Sequence, residues 1–447
     1  MPKKTLLISI LFSVWAVLTT AGVSAGIQDR PAEKNLYSLG DLYRLALSRS
    51  EDVGISEEEL YLARQTRKKA FAVLVPTLSA FGSHTRYGLN DSSIDLITAP
   101  DSATAWGLQA SQKFTLNGKE LIALKITGEA IEKSTYDLSA IKEEFLLGVA
   151  AAYVDVLKST KALEIAEANV HRLSTYRDAV AVKLKLEEVA KTDMFRAEAE
   201  LSKAKAELIS SENQLKYAKA VLSQLAGLKN DYEISDMEPQ SDPTKGRKIS
   251  ELKEVAYNHR AELKALKKQR DIAEDQVRFY RSDYWPTVTL DGSYSKTRPN
   301  PSDAFILNEE NLSVGLTVSL PLFDGGLRKA QVHEALSKKR QADLSYRSVK
   351  KRVELEVENS YLSVISARSM MHALTDQVRF ARSDYDAVLT QFHYGLANSV
   401  DIMDANTLLV TAERQLAEAH YTYQLAILKL NRSQGLFLSS LEENGKL

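Results

Sequence analysis

The chain has 447 residues and balances 58 Lys and Arg against 59 Asp and Glu, a formal net charge of -1, so no basic excess marks a nucleic-acid surface. It has 0 Cys, which excludes disulfides, thiolate metal sites and the acylated cysteine of a lipoprotein. Stability is left to packing.

In chain order, residues 1–25 read as a secretory signal peptide. Lys3 and Lys4 precede an apolar run over 6–18, and Val23, Ser24 and Ala25 form a small-x-small cleavage site. Beyond it no apolar stretch reaches the roughly 20 residues of a membrane-spanning helix, so a membrane location requires a β-barrel. Residues 26–227 form a first repeat, with helices over 39–50 and 56–74, strands over 77–89 and 102–116, and a long helical hairpin over 119–226. A linker over 228–249 carries Pro239, Pro243 and Gly246. A second repeat over 250–435 has the same order: helices over 250–258 and 261–283, strands over 287–297 and 311–323, and a helical hairpin over 327–434. Residues 436–447 are a C-terminal tail. The duplication is read from landmarks: Pro76 recurs as Pro286 at an offset of 210 (286 minus 76), and Gly107, Gly118, Asp193 and Gly227 recur as Gly315, Gly326, Asp401 and Gly435 at 208 (435 minus 227).

The long helices carry a coiled-coil period. Val357, Val364, Met371, Val378, Tyr385 and Phe392 fall every seven residues, interleaved with Ser360, Ala367, Leu374, Ala381 and Val388. The first repeat has the same seam with one exception, Arg177. The strands carry the other period: Leu312, Val314, Leu316, Val318, Leu320 and Leu322 alternate with Ser313, Gly315, Thr317, Ser319 and Pro321. One face is apolar and the other small or polar, as a wall between lipid and a watery lumen requires, although a soluble sheet with one buried face has the same pattern. The strand at Thr77 is less clean, with His84 and Arg86 on one face and Phe81 and Tyr87 on the other. Four strands cannot close a transmembrane barrel, and open edges in lipid cost several kcal/mol per unpaired group. A membrane barrel therefore needs other copies of the chain, and three give twelve strands. The expected fold is mixed α and β but mostly α: a long coiled-coil helical barrel plus a transmembrane β-barrel completed by three protomers.

With these residues in view the chain resembles the TolC-like outer-membrane efflux proteins, the outer membrane factor family, over nearly its whole mature length. The resemblance rests on the two-fold repeat, on the strand opening Pro286, Val288, Leu290, and on the runs Leu320-Pro321-Leu322-Phe323-Asp324-Gly325-Gly326 and Tyr394-Gly395-Leu396-Ala397-Asn398-Ser399-Val400-Asp401-Ile402-Met403-Asp404-Ala405. It implies a trimeric outer-membrane channel with a large periplasmic tunnel, conducting substrates out of the cell in multidrug efflux or type I secretion. It also implies a periplasmic adaptor (membrane fusion protein) and an inner-membrane pump or ABC transporter as partners, with no cofactor. Carried over residue by residue, Asp401 and Asp404 match the acidic pair of the family's periplasmic constriction, and Asp193 the equivalent acid of the first repeat. Leu186, Glu187, Thr192, Gly395 and Val400 fall at the helix tips that dock the adaptor. Phe392 and Ala397 stand where well-known members have a Tyr and an Arg that lock the tip, and Glu187 stands where the second repeat has Gly395, so a different turn geometry is expected in the first repeat. Without the family, Asp401 reads as a helix N-terminal acid and Asp404 as a solvated one.

Two other functions fit the sequence less well. Against an enzyme, His84, His171, His259, His333, His372, His393 and His420 are scattered without metal-ligand spacing, and no Walker loop, nucleophile elbow or His-Glu-x-x-His is present. A periplasmic coiled-coil adaptor bridging two membranes would share the heptads and the signal, but does not account for a strand pair ahead of each long hairpin.

Overall fold

The structure, a computed structural model, describes residues 35–88, 100–229, 232–302, 304 and 308–443; the expected signal peptide lies outside them. In chain order the elements are β1 Asn35–Tyr37, α1 Leu39–Leu47, α2 Glu51–Ala72, β2 Thr77–Arg86, β3 Ser102–Thr115, α3 Lys119–Lys185, α4 Lys191–Ala226, β4 Tyr232–Ile234, α5 Ile249–His259, α6 Ala261–Arg281, β5 Thr287–Asn300, β6 Glu310–Ser319, α7 Leu327–His393, α8 Ser399–Ser433 and α9 Phe437–Glu443. No helix among the described residues is long and apolar enough to cross a membrane.

Helices α3 and α7 are each 67 residues long, on the order of 100 Å, and α7 begins and ends 208 residues after α3 (327 minus 119, 393 minus 185). Both start after a glycine in the left-handed conformation, Gly118 at φ 76° and Gly326 at φ 90°, which turns the chain from strand to helix. Their heptad seams face inward: Val149, Val156, Ala166, Leu173 and Val180 of α3 and Val357, Val364, Leu374, Ala381 and Phe392 of α7 are buried. At the exceptional position Arg177 is half-exposed and the adjacent Tyr176 is buried in its place, its ring 5.3 Å from that of Phe392. A one-residue step around the helix, about 100°, exchanges a charge for an aromatic.

The strands pair antiparallel in the order β2-β3-β5-β6, which leaves β2 and β6 as the edges among the described residues. The register places Leu78, Ala80, Gly82, His84 and Arg86 on one face with Trp106, Leu108, Ala110, Leu290, Tyr294, Lys296, Leu312, Val314, Leu316 and Val318. That face is apolar through its middle. At the end towards Arg86 it turns polar, through Ser102, Thr104, Lys296, Arg298 and Glu310. His84 and Arg86, which blurred the alternation of β2, thus lie at or next to this polar rim. Phe81, on the opposite face, sits over Gly107: a Cβ added to Gly107 would fall 2.2 Å from the Tyr294 carbonyl oxygen and 2.9 Å from the Phe81 ring, so glycine there makes room for both. The rest of that face is small or polar, including Ser111, whose hydroxyl donates to Asp291 at 2.5 Å. The ends differ from expectation. β5 continues to Asn300 because β3 pairs with it throughout, whereas β6 stops at Ser319, not at Phe323, because Ser319 pairs with the first residue of β5, Thr287, and beyond it neither edge of β6 has a partner.

Short elements pack around the middle of the long helices. The expected linker contains β4, which pairs with β1, and its Asp242 accepts from Arg368 of α7 at 2.8 Å and Tyr423 of α8 at 3.1 Å. The expected tail contains α9, whose Phe437 is fully buried with its ring 6.1 Å from Tyr43 of α1. Buried Arg260 ties the helices together: it donates to Glu262 and Glu356 at 2.9 Å, and Arg432 of α8 binds Glu356 at 2.6 Å and Glu262 at 3.0 Å. Here both charges of each pair have partners, which is what makes burial of a guanidinium tolerable.

Candidate functional site

The expected site lies where the two long hairpins turn. Helix α3 ends with Glu187 N–H donating to Leu184 O at 3.1 Å and Glu188 N–H to Lys183 O at 2.9 Å. Helix α7 ends in the same way, with Gly395 N–H on Phe392 O at 3.1 Å and Leu396 N–H on Gln391 O at 2.8 Å. Both are Schellman caps, which need one left-handed residue. Gly395 supplies it at φ 75° and Glu187 at φ 61°, the one non-glycine residue with positive φ among those described. The expectation of a different turn at Glu187 is therefore corrected: hydrogen bonding fixes the geometry, and the glutamate adopts it at a cost of about 1–2 kcal/mol.

The acids that follow open the return helices. Asp401 accepts from Asn398 N–H at 2.9 Å while the Asn398 side chain accepts from Val400 and Asp401 N–H at 2.7 and 3.2 Å, a reciprocal cap. Asp193 accepts from Ala190 N–H at 3.1 Å, but Ala190 has no side-chain acceptor to return the bond. Asp401 and Asp193 thus hold helix ends whatever else they do. Asp404, one turn on, is exposed and makes no side-chain bond, so its carboxylate projects from the helix with Asp401 on the same face. The first repeat does not copy this pair: Arg196 occupies the position matching Asp404 and is also exposed. Leu186, Glu187, Thr192, Gly395 and Val400 are exposed at the tips, as are Tyr394 and Leu396, each at 78%.

Beneath the turns an apolar core binds the two hairpins side by side. It contains Tyr176 and Val180 of α3, Ala197 and Leu201 of α4, Phe392 of α7, and Ile402 and Met403 of α8. Phe392, unable to make a tyrosine's hydrogen bond, is packed into this core, and Ala397 lies at its margin. The polar link at the tip comes from another residue. Lys183 Nζ donates to Phe392 O at 2.9 Å and lies 4.7 Å from the centre of the Phe392 ring. Farther up, Asn406 donates to Asn169 at 3.0 Å, and Glu413 of α8 takes Arg172 of α3 at 3.4 Å and Arg382 of α7 at 2.6 Å. Sequence reasoning missed Lys183, Tyr176 and Arg196. Lys183 gave no signal of its own, because a lysine in the last turn of a helix is ordinary dipole compensation. Among the described residues no group of three or more His, Asp or Glu side chains is arranged to hold a metal ion.

Comparison with known proteins places this arrangement. The family model described as outer membrane efflux protein matches twice, over residues 42–228 and 252–436. The chain is 25% identical over 398 residues to the outer membrane protein TolC of Escherichia coli K12, covering 85% of this chain and 80% of that one. It is 24% identical over 302 residues to the alkaline protease secretion protein AprF of Pseudomonas aeruginosa, covering 66% and 62%. Among solved structures, the outer membrane protein VceC of Vibrio cholerae superposes with a TM-score of 0.79 at 19% identity, covering 89% of this chain and 96% of that one. CusC superposes with a TM-score of 0.80 at 16% identity, covering 89% and 92%. With the two-edged sheet, the paired long hairpins and both halves matched, this chain belongs to the outer membrane efflux protein family.

Proposed function

We propose that this outer-membrane channel works as a homotrimer. Its four-stranded sheets join into one twelve-stranded barrel in the lipid, and its long hairpins form a periplasmic tunnel that receives substrate from an adaptor and an inner-membrane pump or ABC transporter. The observation that carries this reading is the sheet itself: an apolar face, a polar face and two unpaired edges in one four-stranded unit. In lipid such a unit is closed only by copies of itself. The equal spans of α3 and α7, 208 residues apart, and the double match of one family model support a duplicated chain, so that six similar hairpins would surround the lumen. The efflux and secretion proteins among its relatives support the same task.

Asp401 and Asp404 are assigned to the constriction. Three-fold symmetry would bring three copies of the exposed Asp404 together, and clustered carboxylates attract cations. The hairpin tips, with Leu186, Glu187, Thr192, Gly395 and Val400 exposed, are assigned to the adaptor. The test is conductance in planar bilayers with added divalent cations. Asp404→Ala should relieve the block at least tenfold, and Asp401→Asn, which keeps a polar group at the helix cap, should relieve it in part. Block unchanged in both variants removes the acids from the gate.

A further inference from the structure

The two halves of the sheet fix more than its strand order. Each β2 residue has a β5 counterpart 210 positions later, and each β6 residue lies 208 positions after a β3 residue. The registers agree with both offsets: Thr77 faces Ser111, and Thr287 faces Ser319. Residue types agree as well. Leu78, Gly82, Ser83, His84 and Arg86 of β2 correspond to Val288, Gly292, Ser293, Tyr294 and Lys296 of β5. The seam between the two halves, β3 on β5, joins residues whose numbers add to 402, as Ser102 with Asn300.

The seam between two chains, β6 on a neighbour's β2, has the same kind of members. Moving the β3 member forward by 208 and the β5 member back by 210 turns 402 into 400. We infer that β6 of one chain pairs antiparallel with β2 of a second copy in the register that adds to 400, with Val318 opposite Gly82, Thr317 opposite Ser83 and Ser319 opposite Phe81. This rests on the trimeric reading above and specifies its interface.

Three features fit. The first is hydrogen-bond parity. Tyr87 N–H donates to Asp101 O and Thr297 N–H to Glu309 O, so the odd residues of β2 and β6 spend their backbone groups inside the sheet. The even residues of both edges then face outward, and an even sum pairs them with each other. The second is the faces: even with even joins the apolar face to the apolar face, whereas a one-residue slip would invert it. The third is strand length. The inner strands β3 and β5 have 14 residues, the edge strands β2 and β6 have 10. The missing end of β6 corresponds to Gln112–Thr115 of β3, which β5 pairs. In the assembled seam Leu320, Pro321, Leu322 and Phe323 continue β6 opposite Ala80, Ser79, Leu78 and Thr77 of the neighbour. Leu322 and Phe323, both 88% exposed in the single chain, thereby enter the wall. Pro321 is tolerated there because it is odd-numbered, and the N–H it lacks does not belong to the outer edge.

The chain has 0 Cys, so paired cysteines report the register without background. Odd pairs are the non-hydrogen-bonded ones, with Cα atoms about 4.5 Å apart, within disulfide range. After oxidation in outer membranes, Ser83→Cys with Thr317→Cys should give covalent trimer at least tenfold more than Ser83→Cys with Gly315→Cys or with Ser319→Cys, the two-residue slips. Thr77→Cys with Phe323→Cys should also cross-link, reporting the extended strand. Strongest cross-linking in a slipped pair, in a protein that still runs as a trimer after reduction, overturns the register and leaves the trimer standing. Failure of the 77 with 323 pair alone overturns the extension. A monomeric mass with no cross-link in any pair overturns the trimeric reading instead.

Discussion

Lys183 reaches across from the end of α3 to the last carbonyls of α7 and gives Phe392 O a second donor beside the Gly395 N–H. Its side chain is only 17% exposed, and its ammonium also lies over the Phe392 ring. A charged hydrogen bond of this kind contributes about 1.5–3 kcal/mol and the ring contact about 0.5–1 more. A tip that opens by parting its two hairpins must break this link. Lys183→Met, which keeps the apolar stem and removes the donor, is expected to raise the open fraction in planar bilayers several-fold, whereas Lys185→Met, in the same last turn but exposed, is expected to leave it unchanged. Equal conductance for both variants would assign Lys183 to packing alone. At this scale the sequence was legible only where a residue's role is local. Asp401 and Asn398 were readable as a helix start, because capping involves neighbours in the chain. Lys183 was not, since its partner is 209 residues away. The left-handed Glu187 was hidden because a glutamate gives no sign of positive φ.

Among the elements, the long helices and the strands were legible to within a few residues because both signals are periodic and long. The failures have a common cause in contacts remote along the chain. β1 and β4 are three residues each and exist by pairing with one another across nearly 200 positions, and α9 is held by Phe437 on Tyr43. Arg177 kept the heptad count but not the seam, which passes to Tyr176 because Phe392 offers it a ring to pack on. The helix bundle also carries a titratable weak point. Glu143 of α3 is 4% exposed, and burial, with Glu262 nearby, pushes its carboxyl up to about 7, only partly offset by Arg432 and Arg260. A carboxyl raised in the folded state binds its proton there while the unfolded chain has released it, so stability falls as pH rises from about 4.5 to about 7 and stays lower above. The loss is on the order of 3 kcal/mol. Glu143→Gln should therefore match the parent chain near pH 4.5 and exceed it at pH 8, read as the thermal midpoint across that range. Parallel pH profiles for the two proteins would show that Glu143 is not the group responsible.

For the whole molecule, everything turns on the two open edges of the sheet. A single chain exposes Leu78, Leu312, Val314, Leu316 and Val318 at 61–78%, together with the unpaired backbone groups of β2 and β6. In a bilayer, lipid would satisfy the first and only further strands the second. The apolar and polar faces of the sheet were legible from alternation, and the proposal of partner copies comes from counting strands. The seam register was not, because it emerges only when the observed β3–β5 ladder is set beside the duplication. The most direct measurement is the native mass of the protein extracted from outer membranes in mild detergent, with and without boiling. Three chains in one heat-modifiable particle, falling to one chain on boiling, is the predicted result. A particle of one chain that still conducts in a bilayer would contradict closure by three copies.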